Sequence, residues 1–547
     1  MTRRNILVRL MAMTVLFSTT YTYAQNASFL ADGISNYIRR SQLLGKVNPD
    51  EALLTGSFLS SYKAIDSLLS WPALIKRKGR DSSFNLLPVS LTSQFNGHHP
   101  WGWNDGGMIP AKGIQTALSA GVSFSSGHFS LQLRPEFVYA QNSDFVTFPT
   151  DMPDAYWTQY YRWLNNSDIP EKFGNGSYQK IYPGQSSIRY NAGSISFGVS
   201  TESLWWGPGV KNALVMSNNA PGFFHATINT VRPIRTGIGN FEGQIIAGQL
   251  NGSGVLPPER NRYDGNSQML YKPKRDEDRY ITGMILSWQP KWVKGLFIGF
   301  TKASYQYKSD VSGIADILPL EGLIKSSSEK NHTKASVGSL FARYVMPQER
   351  AELYFEYGRN DKSPNLLNLV SDNGYPRAYV AGVRKLFSIK KDNYLELLVE
   401  LTQLQLPTAG LVFSARSWYT DSTVRHGYTN QGQPLGSGIG PGSNSQTIDI
   451  SWVKGFNKVG LMFERLLHNN DFYYNAFSNP VDYTRHWIDI STTAHADWQF
   501  HKFLLSSQLA LVRSLNYQWY IFPGLRLFSN GYDVLNFHAR VSVSYRL

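Results

Sequence analysis

The chain has 547 residues, 42% of them hydrophobic and 14% aromatic, with a formal net charge of +14 and no cysteine. Absence of cysteine excludes disulfides, thiolate metal sites, cysteine nucleophiles and a lipid anchor on a leader cysteine. Past the leader no run of about 18 apolar residues remains, which excludes membrane-spanning helices.

Arg3, Arg4 and Arg9 form a basic start, Leu10 to Thr20 a short apolar core, and Thr22-Tyr23-Ala24 a small-residue cleavage site. Residues 1–24 therefore read as a secretory signal peptide. Its removal leaves a formal charge of about +11, which favours acidic partners such as lipopolysaccharide phosphates or an anionic polysaccharide. Solubility and lumen lining are the competing reading of that charge. Lys and Arg are scattered, so no nucleic-acid partner is expected.

Residues 25–83 read as a helical N-terminal periplasmic region, with a plug inside a barrel as the alternative. Phe29, Leu30, Ile34, Tyr37 and Ile38 have helical spacing, as do Leu53, Leu54, Phe58, Leu59, Tyr62, Ile65 and Leu68-Leu69. Asn48-Pro49-Asp50-Glu51 reads as a helix start, with a cap, a first-turn proline and acids at the positive helix end. Trp71-Pro72 reads as the stop.

Residues 84–547 read as strands of period two. Glu352, Tyr354 and Glu356 oppose Leu353, Phe355 and Tyr357. Leu395, Leu397, Val399 and Leu401 are interleaved with Glu396, Glu400 and Thr402. Ile448, Ile450 and Trp452 alternate with Thr447, Asp449 and Ser451, and Ile488, Ile490, Ala494, Ala496 and Trp498 with Asp489, Ser491, Thr493, His495 and Asp497. Acids at alternate positions are expected to face a wet lumen. Short turns such as Gly127-His128 suit a periplasmic end. Long connections, roughly 141–187, 251–279, 303–333, 359–376 and 416–445, suit the outside. Within the last, Gln431 to Gly442 is too rich in Gly and Pro for a strand interior.

The final segment puts Phe537, Ala539, Val541, Val543, Tyr545 and Leu547 on one face and His538, Arg540, Ser542, Ser544 and Arg546 on the other. That pattern suits a strand closing a membrane barrel. The fold class is all-β, a transmembrane antiparallel β-barrel of roughly 16 to 18 strands with a small N-terminal helical region, located in a Gram-negative outer membrane with loops at the cell surface.

Two loop passages combine aromatic rings that stack on sugar faces with polar groups that read hydroxyls and carboxylates. One holds Trp101, Trp103, Asn104 and Asp105; the other holds Trp205, Trp206, Asn218 and Asn219. Arg232 and Arg235 are candidates to clamp an acidic sugar. A structural reading competes throughout. Gly207-Pro208-Gly209 sets a tight turn, adjacent tryptophans anchor a girdle or pack the turn, Asp and Asn beside Gly form turns, and the arginines line the lumen opposite acids. His98-His99 is poorly spaced for a metal. Asp276-Glu277-Asp278 sits among Lys272, Lys274, Arg275 and Arg279 as a mixed-charge loop rather than a calcium site. No metal or cofactor is expected. There is no Gly-x-Ser-x-Gly elbow, no His-Glu-x-x-His and no phosphate loop, and no enzyme is expected.

With these motifs the sequence resembles the Wzi capsule-assembly family of outer-membrane proteins. The resemblance is carried by Trp205-Trp206-Gly207-Pro208-Gly209 followed by Ser217-Asn218-Asn219-Ala220-Pro221, by Gly102-Trp103-Asn104-Asp105-Gly106 leading to Pro110-Ala111-Lys112-Gly113, and by Arg134-Pro135-Glu136-Phe137. It spans nearly the whole mature chain and is most specific between residues 95 and 250. The resemblance implies a barrel of about 18 strands with a small helical bundle at its periplasmic end. It also implies a lectin-like role, holding capsular or other surface polysaccharide at the cell surface, with outer-membrane lipid and lipopolysaccharide as neighbours. A diffusion porin or substrate channel is the alternative.

Overall fold

The computed structural model describes residues 33–54, 82–257, 259–313, 333–361, 376–406, 416–477, 485–520 and 532–546. The leader, Phe29-Leu30 and the helical readings past residue 54, with the Trp71-Pro72 stop, lie outside them.

Among the described residues eighteen strands form one antiparallel barrel. The first six are β1 (Ser82–Asn96), β2 (Gly113–Ser126), β3 (Phe129–Leu133 with Glu136–Ala140), β4 (Tyr178–Tyr182 with Ser187–Ala192), β5 (Ile195–Ser200) and β6 (His225–Thr230 with Ile234–Thr236). Next come β7 (Gly239–Leu250), β8 (Arg279–Pro290), β9 (Leu296–Tyr307), β10 (Ala335–Met346), β11 (Ala351–Asp361) and β12 (Arg377–Lys390). The last six are β13 (Asn393–Gln403), β14 (Asn444–Lys454), β15 (Asn457–Leu467), β16 (Ile488–Phe500), β17 (Phe503–Leu515) and β18 (Val534–Tyr545). Among the described residues three α-helices accompany them: α1 (Ile34–Leu43), α2 (Asp154–Leu164) and α3 (Asn470–Ala476). No described helix is long and apolar enough to cross a membrane.

β18 pairs with β1 from Val89↔Tyr545 to Asn96↔His538, so the sheet closes on itself without a free edge. β3, β4 and β6 are each interrupted where a proline (Pro135, Pro183, Pro233) removes a ladder donor. Outward positions present an apolar belt: Leu353 and Phe355 are each 48% exposed, whereas inward Glu352 and Glu356 are fully buried. The alternation read from the sequence thus sorts the two faces.

The short turns, including 127–128, 193–194, 391–392, 455–456 and 501–502, gather at one end, and the long connections, among them 97–112, 141–177, 201–224, 404–443, 468–487 and 516–533, at the other. The long connection placed at 141–187 ends at residue 177 and contains α2. Within 416–445 a small ribbon pairs Thr429 with Pro434 and Asn430 with Gln433.

The inward acids do not face water, because the lumen is filled. Connection 201–224 descends into it. Trp206 is fully buried, and its indole lies where a Cβ on Gly283 would otherwise stand. Leu214 and Trp418 use the matching space at Gly358. Glu400 of β13 caps the turn, accepting from the backbone N–H of Val210 (2.6 Å), Lys211 (3.1 Å) and Asn212 (2.8 Å). From the short-turn end α1 enters the same space. Arg39 donates to the carbonyls of Pro208 (2.8 Å) and Gly209 (3.2 Å), and Arg40 to the Phe456 carbonyl (3.1 Å). The helical region is therefore a plug where it is described, at the short-turn mouth.

Buried ion pairs hold the plug. Glu352 meets Arg343 (2.6 Å), Arg39 (3.0 Å) and Arg384 (3.4 Å). Glu396 meets Lys458 (3.3 Å) and Arg40 (3.5 Å).

Asn48 does not start a helix over residues 49–54. Its Oδ1 accepts from the Asp50 N–H (3.0 Å), closing a turn, and residues 51–54 are non-helical, with Leu53 at φ 51°. Wall groups capture this backbone: Arg343 donates to the Ala52 carbonyl (2.8 Å), and Glu242 accepts from the Ala52 N–H (2.7 Å). Partners in the barrel outweigh the local helix signal.

Candidate functional site

At the long-loop end a cavity of about 230 Å³ opens between the barrel wall and six inward-folded connections. Five tryptophans line it: Trp101, Trp103, Trp163, Trp487 and Trp519, with Tyr160 and Tyr517. Gln94, His99, Asp105, Glu171, Asn219, Gln433, His468, Asn469 and Gln518 supply polar groups.

Each element has a local cause. Asp154 in the first turn of α2 favours its positive end, and Trp157, Tyr160, Tyr161 and Leu164 repeat at helical spacing as its buried face. α3 starts at Asn469, whose Oδ1 accepts from the Phe472 N–H (3.2 Å). The two helices build an aromatic floor: Phe148 stacks on Tyr160 at 4.3 Å, and Phe472 meets Trp519 edge-on at 4.8 Å. Above it Trp487 stacks on His468 at 3.9 Å and stands edge-on to Trp519 at 5.2 Å.

The two motif passages dock on each other. Asn104, in the left-handed region at φ 66°, accepts no strain penalty beyond what Asn tolerates there. Its N–H donates to Asn219 Oδ1 (3.1 Å) and its side chain to the Lys211 carbonyl (2.8 Å), while the Gly106 N–H donates to the Asn218 carbonyl (2.8 Å).

Of the residues singled out in the sequence, Trp101, Trp103, Asp105 and Asn219 line the cavity. Asn104 and Asn218 border a smaller polar cavity beside it, shared with Asp105, Arg134 and Arg540. Trp205 is half-buried and lines neither cavity. Trp206 belongs to the lumen core, where its indole N–H donates to Gln244 (3.0 Å). Arg232 and Arg235 are exposed at the short-turn end, where Arg232 donates to Ser194 (2.8 Å) beside the 193–194 turn. Trp163, Trp487, Trp519, Gln94, Glu171, Asn469 and Gln518 were missed. They come from separate connections, and the only sequence signal was the helical repeat of aromatics in α2.

Asp105 is paired with Arg540 and accepts from Gln94 (3.3 Å). Burial pushes the Glu171 carboxyl up to about 7, against which the Tyr160 hydroxyl and the Phe148 N–H (3.1 Å) act weakly. Burial holds His99 down to about 4, so it is neutral at pH 7. Its Nε2 faces Ser514 Oγ (3.3 Å), but its Nδ1 faces His98 Nδ1 (3.1 Å), and Asp489 accepts from the serine itself (2.6 Å). This order does not make a Ser-His-Asp relay. Among the described residues no group of three or more His, Asp or Glu is placed to hold a metal ion.

Ionisation of Glu171 is linked to the stability of the fold. Because the folded value lies above the ordinary one, its contribution to stability is full below about pH 4.5, falls as pH rises, and is lost by about pH 7. The expected span is on the order of 2 kcal/mol after allowing for its partial exposure. Glu171→Gln should flatten that slope in pH-dependent unfolding followed by cavity tryptophan fluorescence; an unchanged slope would assign it elsewhere.

A family model described as capsule assembly protein Wzi matches residues 100–502. No curated protein matches the sequence. Among solved structures, the fold is similar to Wzi of Escherichia coli, described as an outer-membrane protein involved in group 1 capsule assembly and a carbohydrate-binding β-barrel. The TM-score is 0.61 at 12% identity, covering 96% of this chain and 100% of that one. Acinetobacter baumannii OccAB2 matches at a TM-score of 0.40 and 10% identity, covering 84% and 97% of the two chains.

Proposed function

This chain belongs to the Wzi capsule-assembly family, and from that premise we propose that its long-loop end faces the outside of the cell and holds surface polysaccharide in the tryptophan-lined cavity. The observation that carries this reading is the convergence of Trp101, Trp103, Trp163, Trp487 and Trp519 with neutral polar side chains in one recess. Aromatic faces stack on sugar rings while amides meet the hydroxyls. The short-turn end is then periplasmic and the apolar belt faces outer-membrane lipid and lipopolysaccharide. Residues 1–24 act as the export leader, and the polysaccharide is capsular, attached by this protein to the cell surface. The reading contains no catalytic step. Deleting the gene is expected to release capsule into the medium with polymer synthesis intact; normal cell-attached capsule in a clean deletion would count against it.

The filled lumen weighs against a porin. Connection 201–224 and α1 meet inside it through Arg39, Pro208 and Gly209. The refolded protein is expected to be silent in planar bilayers; steady ion conductance would favour the channel reading.

A further inference from the structure

We infer that the cavity is built for an uncharged sugar residue, so that any acidic groups of the polymer stay outside it. This deepens the carbohydrate-binding reading and rests on it.

Five polar atoms on the lining residues have no partner among the described residues. The acceptors are Gln94 Oε1 and Gln518 Oε1; the donors are Trp163 Nε1, Trp519 Nε1 and Asn469 Nδ2. Gln94, Gln518, Trp519 and Asn469 are all more than nine-tenths buried. Buried polar atoms left unpaired are costly, and native structures rarely keep several together. A sugar hydroxyl both donates and accepts, so neighbouring hydroxyls on one ring satisfy both kinds. An ionised carboxylate only accepts, so one standing where a hydroxyl would meet a glutamine oxygen leaves that oxygen unmet.

The charges point the same way. Among the described residues lining the cavity there is no Lys or Arg. Its acids are Asp105, spent on Arg540, and Glu171, set against the Phe148 N–H. A uronate entering would bring a buried negative charge beside two carboxyl groups with no cation among the lining residues to meet it, an arrangement burial penalises heavily. The nearest cations are already engaged: Lys211 lies over the Trp103 ring at 5.2 Å and reaches Glu464 at 3.9 Å, and Arg540 pairs with Asp105. Arg39, Arg40, Arg343, Arg384 and Lys458 are inside the lumen, and Arg232, Arg235, Lys291, Lys294, Lys390 and Lys391 are exposed at the short-turn end. The acidic partner suggested by net charge therefore has no counterpart in this recess.

The test uses the refolded mature chain and fragments of the producing strain's surface polysaccharide in three forms. One is native, one has uronic carboxyls reduced to hydroxymethyl groups, and one has primary hydroxyls oxidised to carboxylates. Binding is read by tryptophan fluorescence at 0.15 M salt. The reduced form is expected to bind as tightly as the native form or tighter, and the oxidised form at least tenfold more weakly. Trp163→Ala should weaken the forms that bind, which locates them in the cavity. Equal or tighter cavity binding of the oxidised form, or a tenfold loss on reduction, would overturn this inference and leave the carbohydrate reading standing. Failure of all three forms to bind would sink the carbohydrate reading, and this one with it.

Discussion

Glu352→Ala is expected to destabilise the protein by about 3–5 kcal/mol and to free α1 from the barrel. Glu352 is fully buried and is shared by Arg343, Arg39 and Arg384. Removing it leaves three guanidinium groups in the same dry space with one acceptor fewer. Breaking a buried pair costs more than the pair contributes, because the surviving charges are uncompensated. Arg39 is the only one of the three carried by α1. Its remaining contacts, the Pro208 and Gly209 carbonyls and the Tyr354 ring, carry no full charge. The midpoint of urea unfolding in detergent should fall, and trypsin should cut after Arg39 or Arg40 in the folded variant. Glu349→Ala is the control: its carboxylate is 71% exposed and reaches Lys385 at 3.4 Å, so its loss should cost less than about 1 kcal/mol. Equal effects of the two substitutions would mean that the plug is not held by this cluster.

The same glutamate marks how far sequence reasoning reaches. Period two placed Glu352, Glu396 and Glu400 on the inner face, and the structure has them there. The pattern says nothing of what lies opposite. The expected water is replaced by α1 and by connection 201–224, and acids read as cheap and hydrated are buried and paired. Asn48-Pro49-Asp50-Glu51 has the composition of a helix start, yet the backbone that follows it is set at Ala52 by Arg343 and Glu242, 291 and 190 residues away. The cavity was half legible. Trp101, Trp103, Asp105 and Asn219 stand out because their motifs are dense in Trp, Asn and Gly. Trp163, Trp487 and Trp519 do not, since a ring that completes a site from a separate connection carries no local signature. Trp206 goes the other way: a conspicuous residue in a conspicuous motif lies in the lumen core, as the structural reading of its turn has it.

Tryptophans at these two kinds of position should behave oppositely. Trp206→Ala is expected to cost about 3–5 kcal/mol of stability. Its indole fills the space left by Gly283, donates to Gln244 and has no solvent exposure, so its removal opens a cavity in a close-packed lumen and orphans a buried amide oxygen. Trp101 and Trp163 are half-buried at the recess, with Trp163 touching Tyr160 edge-on at 5.4 Å and Trp101 meeting Trp103 at 6.2 Å. Replacing either by alanine removes a stacking face without emptying the core. The loss per ring should be on the order of 1 kcal/mol in binding, and about 2 kcal/mol or roughly thirtyfold in Kd for the pair, with little change in unfolding midpoint. Polysaccharide titration and urea unfolding on these four variants separate the roles. Should Trp206→Ala lose binding while keeping its midpoint, the Trp205-Trp206 turn would be the sugar contact and the recess beside α2 and α3 would lose its claim.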